Sequence, residues 1–141
     1  MIRTADAEWH GGLKDGNGYM KTGTGAVDQA FSFKTRMGDG TVGTNPEELI
    51  AAAHAGCYSM ALSAILEGAG HPGDSVHTSA KVHFDAVDGG FAITKIELTT
   101  QGKVPGITSE QFAEYAGQAK VGCPVSKALA AVDISLNATL V

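Results

Sequence analysis

The chain has 141 residues, which suits one domain with a single core, and its 43% apolar and 18% charged residues are too apolar for disorder. A net charge of −5 argues against a nucleic-acid or anionic-membrane surface, since both want a basic patch. Glycine is high, at 19 of 141, but has no collagen-like period, so it reads as many turns and close backbone approaches.

The segment Met1 to Asp6 lacks the apolar stretch of a signal peptide and carries an early acid, so a cytoplasmic protein is expected. The following residues alternate short extended runs with glycine turns. Ala7 to His10 precedes Gly11-Gly12, and Tyr19 to Thr22 precedes Gly23-Thr24-Gly25. Val27 to Phe33 carries the period of two of a strand with one wet face, which predicts a small antiparallel sheet. Met37 to Gly40 reads as a turn or loop.

Thr44-Asn45-Pro46-Glu47-Glu48 is a strong helix start. Asn45 can cap the free amides, Pro46 fits the first helical position, and the two glutamates complement the positive end of the helix dipole. The helix is expected to run to about Glu67, ended by Gly68 and Gly70. It has no charged residue between Glu48 and Glu67. Leu49 to Leu66 is at the lower edge of a membrane span, but it is mostly alanine and holds His54, Tyr58, Ser59 and Ser63, so its transfer energy is poor. A helix apolar nearly all round needs cover on most sides. One small sheet struggles to supply it, and a second copy of the chain is expected as part of the cover.

A long hairpin follows. Val82, Phe84 and Ala86 alternate on one arm, Ala92, Thr94, Ile96 and Leu98 on the other, and Asp88-Gly89-Gly90 makes the turn. A helix is expected from about Ser109 to Lys120, broken at Gly122-Cys123-Pro124, with a short second helix from Pro124 through Ala131. Ile134, Leu136, Ala138 and Leu140 close the chain as a strand. The order is β-rich, α, ββ, αα, β, an α+β domain spanning 1–141.

Cys57 and Cys123 are the two cysteines. Without an export signal they are expected as reduced thiols at rest, and two cysteines alone make no zinc site. A reactive thiol needs a cation, a helix N-terminus or a histidine beside it. By position Cys123 has the better local claim, because Pro124 starts a helix there, whereas Cys57 lies in mid-helix and needs a cation delivered from elsewhere. His54, three residues before Cys57, shares its helical face and could activate the thiol or bind metal with it. A packed, hydrogen-bonded core histidine is the plainer reading. Glu47 and Glu48 have a plain role as helix-start residues, and Arg36 that of a solvated charge. Glu47 precedes Cys57 by ten residues, roughly 15 Å along a helix and on a different face at about 100° per residue. If Glu47 serves Cys57 chemically, it should be the Glu47 of another subunit.

Gly43-Thr44-Asn45-Pro46-Glu47-Glu48-Leu49-Ile50, with Ala52-Ala53-His54-Ala55 and Cys57-Tyr58-Ser59-Met60-Ala61-Leu62-Ser63, closely resembles the OsmC branch of the OsmC/Ohr family. Gly90 to Ile96, Val104-Pro105-Gly106-Ile107 and Ala119 to Ser126 agree, so the resemblance covers essentially the whole chain in order. It implies an OsmC-like α+β fold of antiparallel sheets around a long buried central helix, in an intertwined homodimer with active sites at the subunit interface. It also implies a thiol-dependent peroxidase that reduces hydroperoxides, organic ones preferentially, to alcohols. Carried over, Cys57 is the peroxidatic cysteine and Cys123 the resolving one, which overrules the local preference for Cys123. Arg36 and Glu47 match the active-site arginine and glutamate, with Lys34 as the alternative cation because the loop Met37 to Val42 is particular to this chain.

On this resemblance Arg36 stabilises the Cys57 thiolate, which attacks the peroxide and becomes a sulfenic acid. Cys123 then condenses with it to a Cys57–Cys123 disulfide, and an external dithiol, by analogy with the Ohr branch one on a lipoylated protein, reduces it. No metal, haem or flavin is needed, and neither nucleic acid nor membrane is an expected partner. The competing readings are a redox sensor or binding module using the same pair without turnover, and a structural dimer with inert thiols.

Overall fold

The computed structural model describes residues 1–38 and 43–141; part of the turn expected at Met37 to Gly40, and of the loop to Val42, lies outside them. The chain divides into two compact units, Met1–Leu49 and Ile50–Val141.

In the first unit the glycine-punctuated runs become three strands, β1 (Ala5–His10), β2 (Asn17–Thr22) and β3 (Asp28–Ser32), antiparallel in the order β1-β2-β3 as expected. Trp9 and Phe31 meet with ring centroids 5.2 Å apart. The strand expected to reach Phe33 stops at Ser32, because a short helix, α1 (Phe33–Met37), begins there. Its cause is local: the Ser32 hydroxyl accepts from the Thr35 N–H while the Thr35 hydroxyl accepts from the Ser32 N–H, so two free amides of the first turn are satisfied reciprocally.

The helix announced by Asn45 and Pro46 is α2 (Pro46–Gly68). Asn45 Oδ1 accepts from the Glu48 N–H at 2.8 Å, the cap expected from the sequence. Its Nδ2 also donates to the Thr35 carbonyl, which fixes α1 to the start of α2. Among the described residues α2 is the one helix long and apolar enough to cross a membrane by length and composition. Its buried positions from His54 onward, His54, Tyr58, Leu62 and Leu66, recur every fourth residue and form one stripe. Ala52, Ala53, Gly56, Met60, Ser63 and Ala64 are exposed in the single chain.

In the second unit the hairpin is longer than the alternation suggested: β4 (Ser75–Val87) pairs antiparallel with β5 (Gly90–Lys103), with a register shift at His83/Phe84. Two helices, α3 (Ser109–Gly122) and α4 (Pro124–Ala128), lead to β6 (Asp133–Leu140). β6 runs parallel to β5, so the second sheet, in the order β4-β5-β6, is mixed rather than antiparallel. A parallel neighbour needs a crossover of a dozen or more residues, and α3 and α4 are that crossover. α4 ends at Ala128, short of the expected Ala131, where Leu129 to Val132 close a turn that feeds β6.

The core of this unit joins Tyr58, Leu62 and Leu66 of α2 with Ile96 and Leu98 of β5 and Phe112, Ala116 and Ala119 of α3. Ile96, Leu98, Thr100 and Gly102 are the inward positions of β5, and a Cβ at Gly102 would overlap the Phe112 ring. That glycine lets α3 settle close to the sheet. Tyr58 donates from its hydroxyl to the Ala116 carbonyl at 3.1 Å, tying α2 to α3 one residue after Cys57.

Candidate active site

Arg36 lies on α1 and Glu47 in the first turn of α2, both in the first unit. The guanidinium meets the carboxylate with a fork: Nε lies 3.2 Å from Oε1 and 3.1 Å from Oε2, and Nη2 lies 2.7 Å from Oε1. The Glu47 side chain is 9% exposed and that of Arg36 39%, so the acid is anchored while the guanidinium reaches the surface. The adjacent Glu48 turns elsewhere and accepts from the Thr44 hydroxyl at 2.9 Å. Of the two glutamates, Glu47 is therefore the one paired with arginine, and a bidentate pair fixes the guanidinium plane as well as its position. Lys34 is exposed on the same short helix.

In the second unit, Cys57 sits beside the buried stripe of α2 and is half-buried, whereas Cys123 is fully buried. Cys123 is the single residue between two helices. Its N–H donates to the Ala119 carbonyl and ends α3, and Pro124 opens α4 after it. The two sulfurs stand 3.2 Å apart, although the residues are 66 apart in sequence. In the neutral pair the Cys123 thiol donates to the Cys57 sulfur. The neutral Cys123 sulfur caps no amide of α4, as expected of a weak acceptor.

Ionisation separates the two thiols. Burial pushes the Cys57 thiol up; a backbone N–H of Val125 opposes this, and Cys123 adds to the rise through its hydrogen bond and charge. Burial acts the same way on Cys123, but is outweighed by the Ser126 backbone N–H, the Cys57 thiol, the Ser126 hydroxyl and the Val125 N–H, which together hold it below the ordinary thiol value. Among these groups a negative charge is favoured on Cys123, on the side suggested by its place at a helix start. For Cys57 to become the thiolate a cation is needed, and none of the groups that shift it is one.

His54 does not turn to Cys57. Its Nε2 lies 2.8 Å from Ser126 Oγ, its ring is fully buried, and burial lowers its pKa. It is a packed, hydrogen-bonded core histidine, and among the described residues no three His, Cys, Asp or Glu side chains converge as metal ligands. Sequence reasoning did not single out Ser126. Its nearness to Cys123 in Gly122-Cys123-Pro124-Val125-Ser126 was the available signal, but its partner His54 is 72 residues away.

Residues 38–137 match the family described as OsmC-like protein. The chain is 48% identical over 136 residues to peroxiredoxin OsmC of Escherichia coli (strain K12), covering 96% of this chain and 94% of the relative. The crystal structure of an organic hydroperoxide resistance protein from Elizabethkingia anophelis aligns with a TM-score of 0.80 at 26% identity, over 100% of this chain and 99% of that one. The organic hydroperoxide resistance protein OhrB of Bacillus subtilis gives 0.77 at 28% identity, over 96% and 98% of the two chains.

Proposed function

The chain belongs to the OsmC-like family, and from that premise we propose that it is a thiol-dependent peroxidase reducing organic hydroperoxides to alcohols and, less efficiently, hydrogen peroxide to water. The observation that carries the two-cysteine form of this reading is the pair of sulfurs 3.2 Å apart on α2 and between α3 and α4.

Cys57 is the thiol that meets the peroxide, since it is half-buried where Cys123 is fully buried. Its raised pKa requires a cation, and Arg36, held by Glu47, is the one assigned to it. The thiolate attacks the outer peroxide oxygen: an S–O bond forms, the O–O bond breaks, and the leaving alkoxide takes a proton to become the alcohol. The guanidinium balances the charge that develops on those oxygens. Cys123 then displaces hydroxide from the Cys57 sulfenic acid and forms the disulfide, which protects Cys57 from further oxidation. An external dithiol, such as one on a lipoylated protein, returns the pair to thiols.

The working unit in this reading is a homodimer, with Arg36 and Glu47 serving the Cys57 of the other copy. Two observations support it. Glu47 and Cys57 are ten residues apart on one helix, about 15 Å. The α2 surface at Ala52, Ala53, Gly56 and Met60 is exposed in the single chain, although it is almost wholly apolar. A cytoplasmic location suits thiols that must be returned to the reduced state.

The test is consumption of cumene hydroperoxide by the reduced protein with dihydrolipoamide present. Many equivalents consumed per chain are expected. Consumption of one equivalent, with no turnover under any dithiol, would make the pair a sensor, and no consumption would leave the thiols without a peroxidase role.

A further inference from the structure

A disulfide offers a reducing dithiol two sulfurs, and the packing around this pair separates them. Cys123 is 0% exposed and belongs to the buried core with Tyr58, Phe112, Ala116 and Ala119. Cys57 is half-buried and packs against that core from its margin. The sulfurs stand 3.2 Å apart, so a bond of about 2.0 Å draws them together by about 1 Å and leaves each cysteine in its surroundings.

Thiol–disulfide exchange is an in-line displacement: the entering thiolate approaches one sulfur from the side opposite the other. Attack on Cys57 comes from the side away from Cys123, and hence away from the core to which Cys123 belongs. Attack on Cys123 has to come through the residues that bury it. A cleft of about 630 Å³ opens close by, lined by Lys120, Val121, Ser126, Lys127, Ala130 and Ile134. Cys123 is three residues from both Lys120 and Ser126, yet its own surface is closed, so the cleft gives a dithiol no contact with its sulfur.

The choice of leaving group points the same way. The thiol of lower pKa leaves faster. Burial raises the Cys57 thiol, whereas on Cys123 burial is outweighed, chiefly by the Ser126 backbone N–H, and the thiol lies below its ordinary value. While Cys57 is held in a mixed disulfide it carries no charge, so a thiolate leaving at Cys123 has no second thiolate beside it.

We propose that the recycling dithiol attacks Cys57 and expels Cys123, so that peroxide and dithiol reach the protein at the same sulfur in turn, and Cys123 exchanges bonds with Cys57 alone. The proposal rests on the two-cysteine peroxidase reading above and fixes the course of its last step. The first thiolate of the dithiol bonds to Cys57 Sγ as the Cys57–Cys123 bond breaks, and Cys123 departs with the electron pair. The second thiolate attacks the dithiol sulfur held on Cys57, which closes the dithiol to a cyclic disulfide and releases Cys57. Two electrons pass from the dithiol to the pair, and its two protons end on the cysteines or in water.

The test oxidises the full chain to the disulfide with diamide and then adds β-mercaptoethanol, which has no second thiol to complete the cycle. Samples are quenched in acid at early times, the free thiol is alkylated, and peptide mass spectrometry locates both groups. The mixed disulfide is expected on Cys57 and the alkyl group on Cys123, in excess over the reverse by about tenfold or more. A mixed disulfide mainly on Cys123, or an even division, would overturn the proposal. A second measurement checks the path. Ala130→Trp at the exposed wall of the cleft should leave the rate of disulfide reduction by dihydrolipoamide within about twofold of the native rate, and a loss of about tenfold would place the entry there and overturn the proposal as well. Diamide replaces peroxide throughout, so a mixed disulfide on Cys57 in a protein that consumes no peroxide would sink the peroxidase reading alone. Turnover with the mixed disulfide on Cys123 would sink this proposal alone.

Discussion

Cys57→Ser is expected to abolish hydroperoxide consumption, while Cys123→Ser keeps the first equivalent and loses the rest. The difference follows from what each sulfur can do. A serine hydroxyl at position 57 has neither the acidity nor the nucleophilicity to attack a peroxide oxygen, and the buried Cys123 cannot take over from the half-buried position beside it. Without Cys123 the sulfenic acid still forms, but the nearest thiol, 3.2 Å away in the native chain, is gone. Excess peroxide then drives Cys57 to the sulfinic acid, which a dithiol does not reverse. Mass spectrometry should find two added oxygens on Cys57 in Cys123→Ser and an intact disulfide in the peroxide-treated native chain. Sustained turnover by Cys57→Ser would remove it from the peroxidatic role.

The second large effect is expected at Arg36. Arg36→Ala should slow the reaction with organic hydroperoxide by about 10²–10³-fold, the cost of deleting one donor to developing charge. Glu47→Gln should be milder, about tenfold, since it leaves the guanidinium charged and loosens only the fork that aims it, an effect of roughly 1.4 kcal/mol. The homodimer proposed above adds a sharper form of this test. Arg36→Ala chains mixed with Cys57→Ser chains should recover activity, because one of the two sites in each hybrid then combines a native Arg36 with a native Cys57. Were both residues to act within one chain, every site would carry a defect and mixing would recover nothing.

What the sequence disclosed and what it withheld divide along the distance over which each feature is encoded. The start of α2 was legible because Asn45, Pro46, Glu47 and Glu48 act on amides within one turn, and Asn45 makes the expected bond to Glu48. The β4–β5 hairpin was legible from alternation and the Asp88-Gly89-Gly90 turn, although the sequence undersold its length. α1 was missed because its capping box uses Thr35 at the third position, where a glutamate or glutamine is the recognised sign, and because five residues carry no periodicity. β6 was legible as a strand, but its parallel pairing with β5 is a choice made in three dimensions. The cysteines announced themselves through the family resemblance. The link from His54 to Ser126 did not, since no local rule connects residues 72 apart.

The span between the cysteines has a thermodynamic consequence of its own. A Cys57–Cys123 crosslink closes a loop of 66 residues, and by chain entropy alone such a loop disfavours the unfolded chain by about 4 kcal/mol. The oxidised protein should therefore melt above the reduced one. By the same thermodynamic cycle, folding should make the disulfide harder to reduce than the same pair in an unfolded chain, by roughly 90 mV at 30 mV per 1.4 kcal/mol. Equal melting temperatures for the two redox forms would remove that penalty. Each oxidation then leaves the protein in its more durable form, and the recycling dithiol has to work against the stability of the fold.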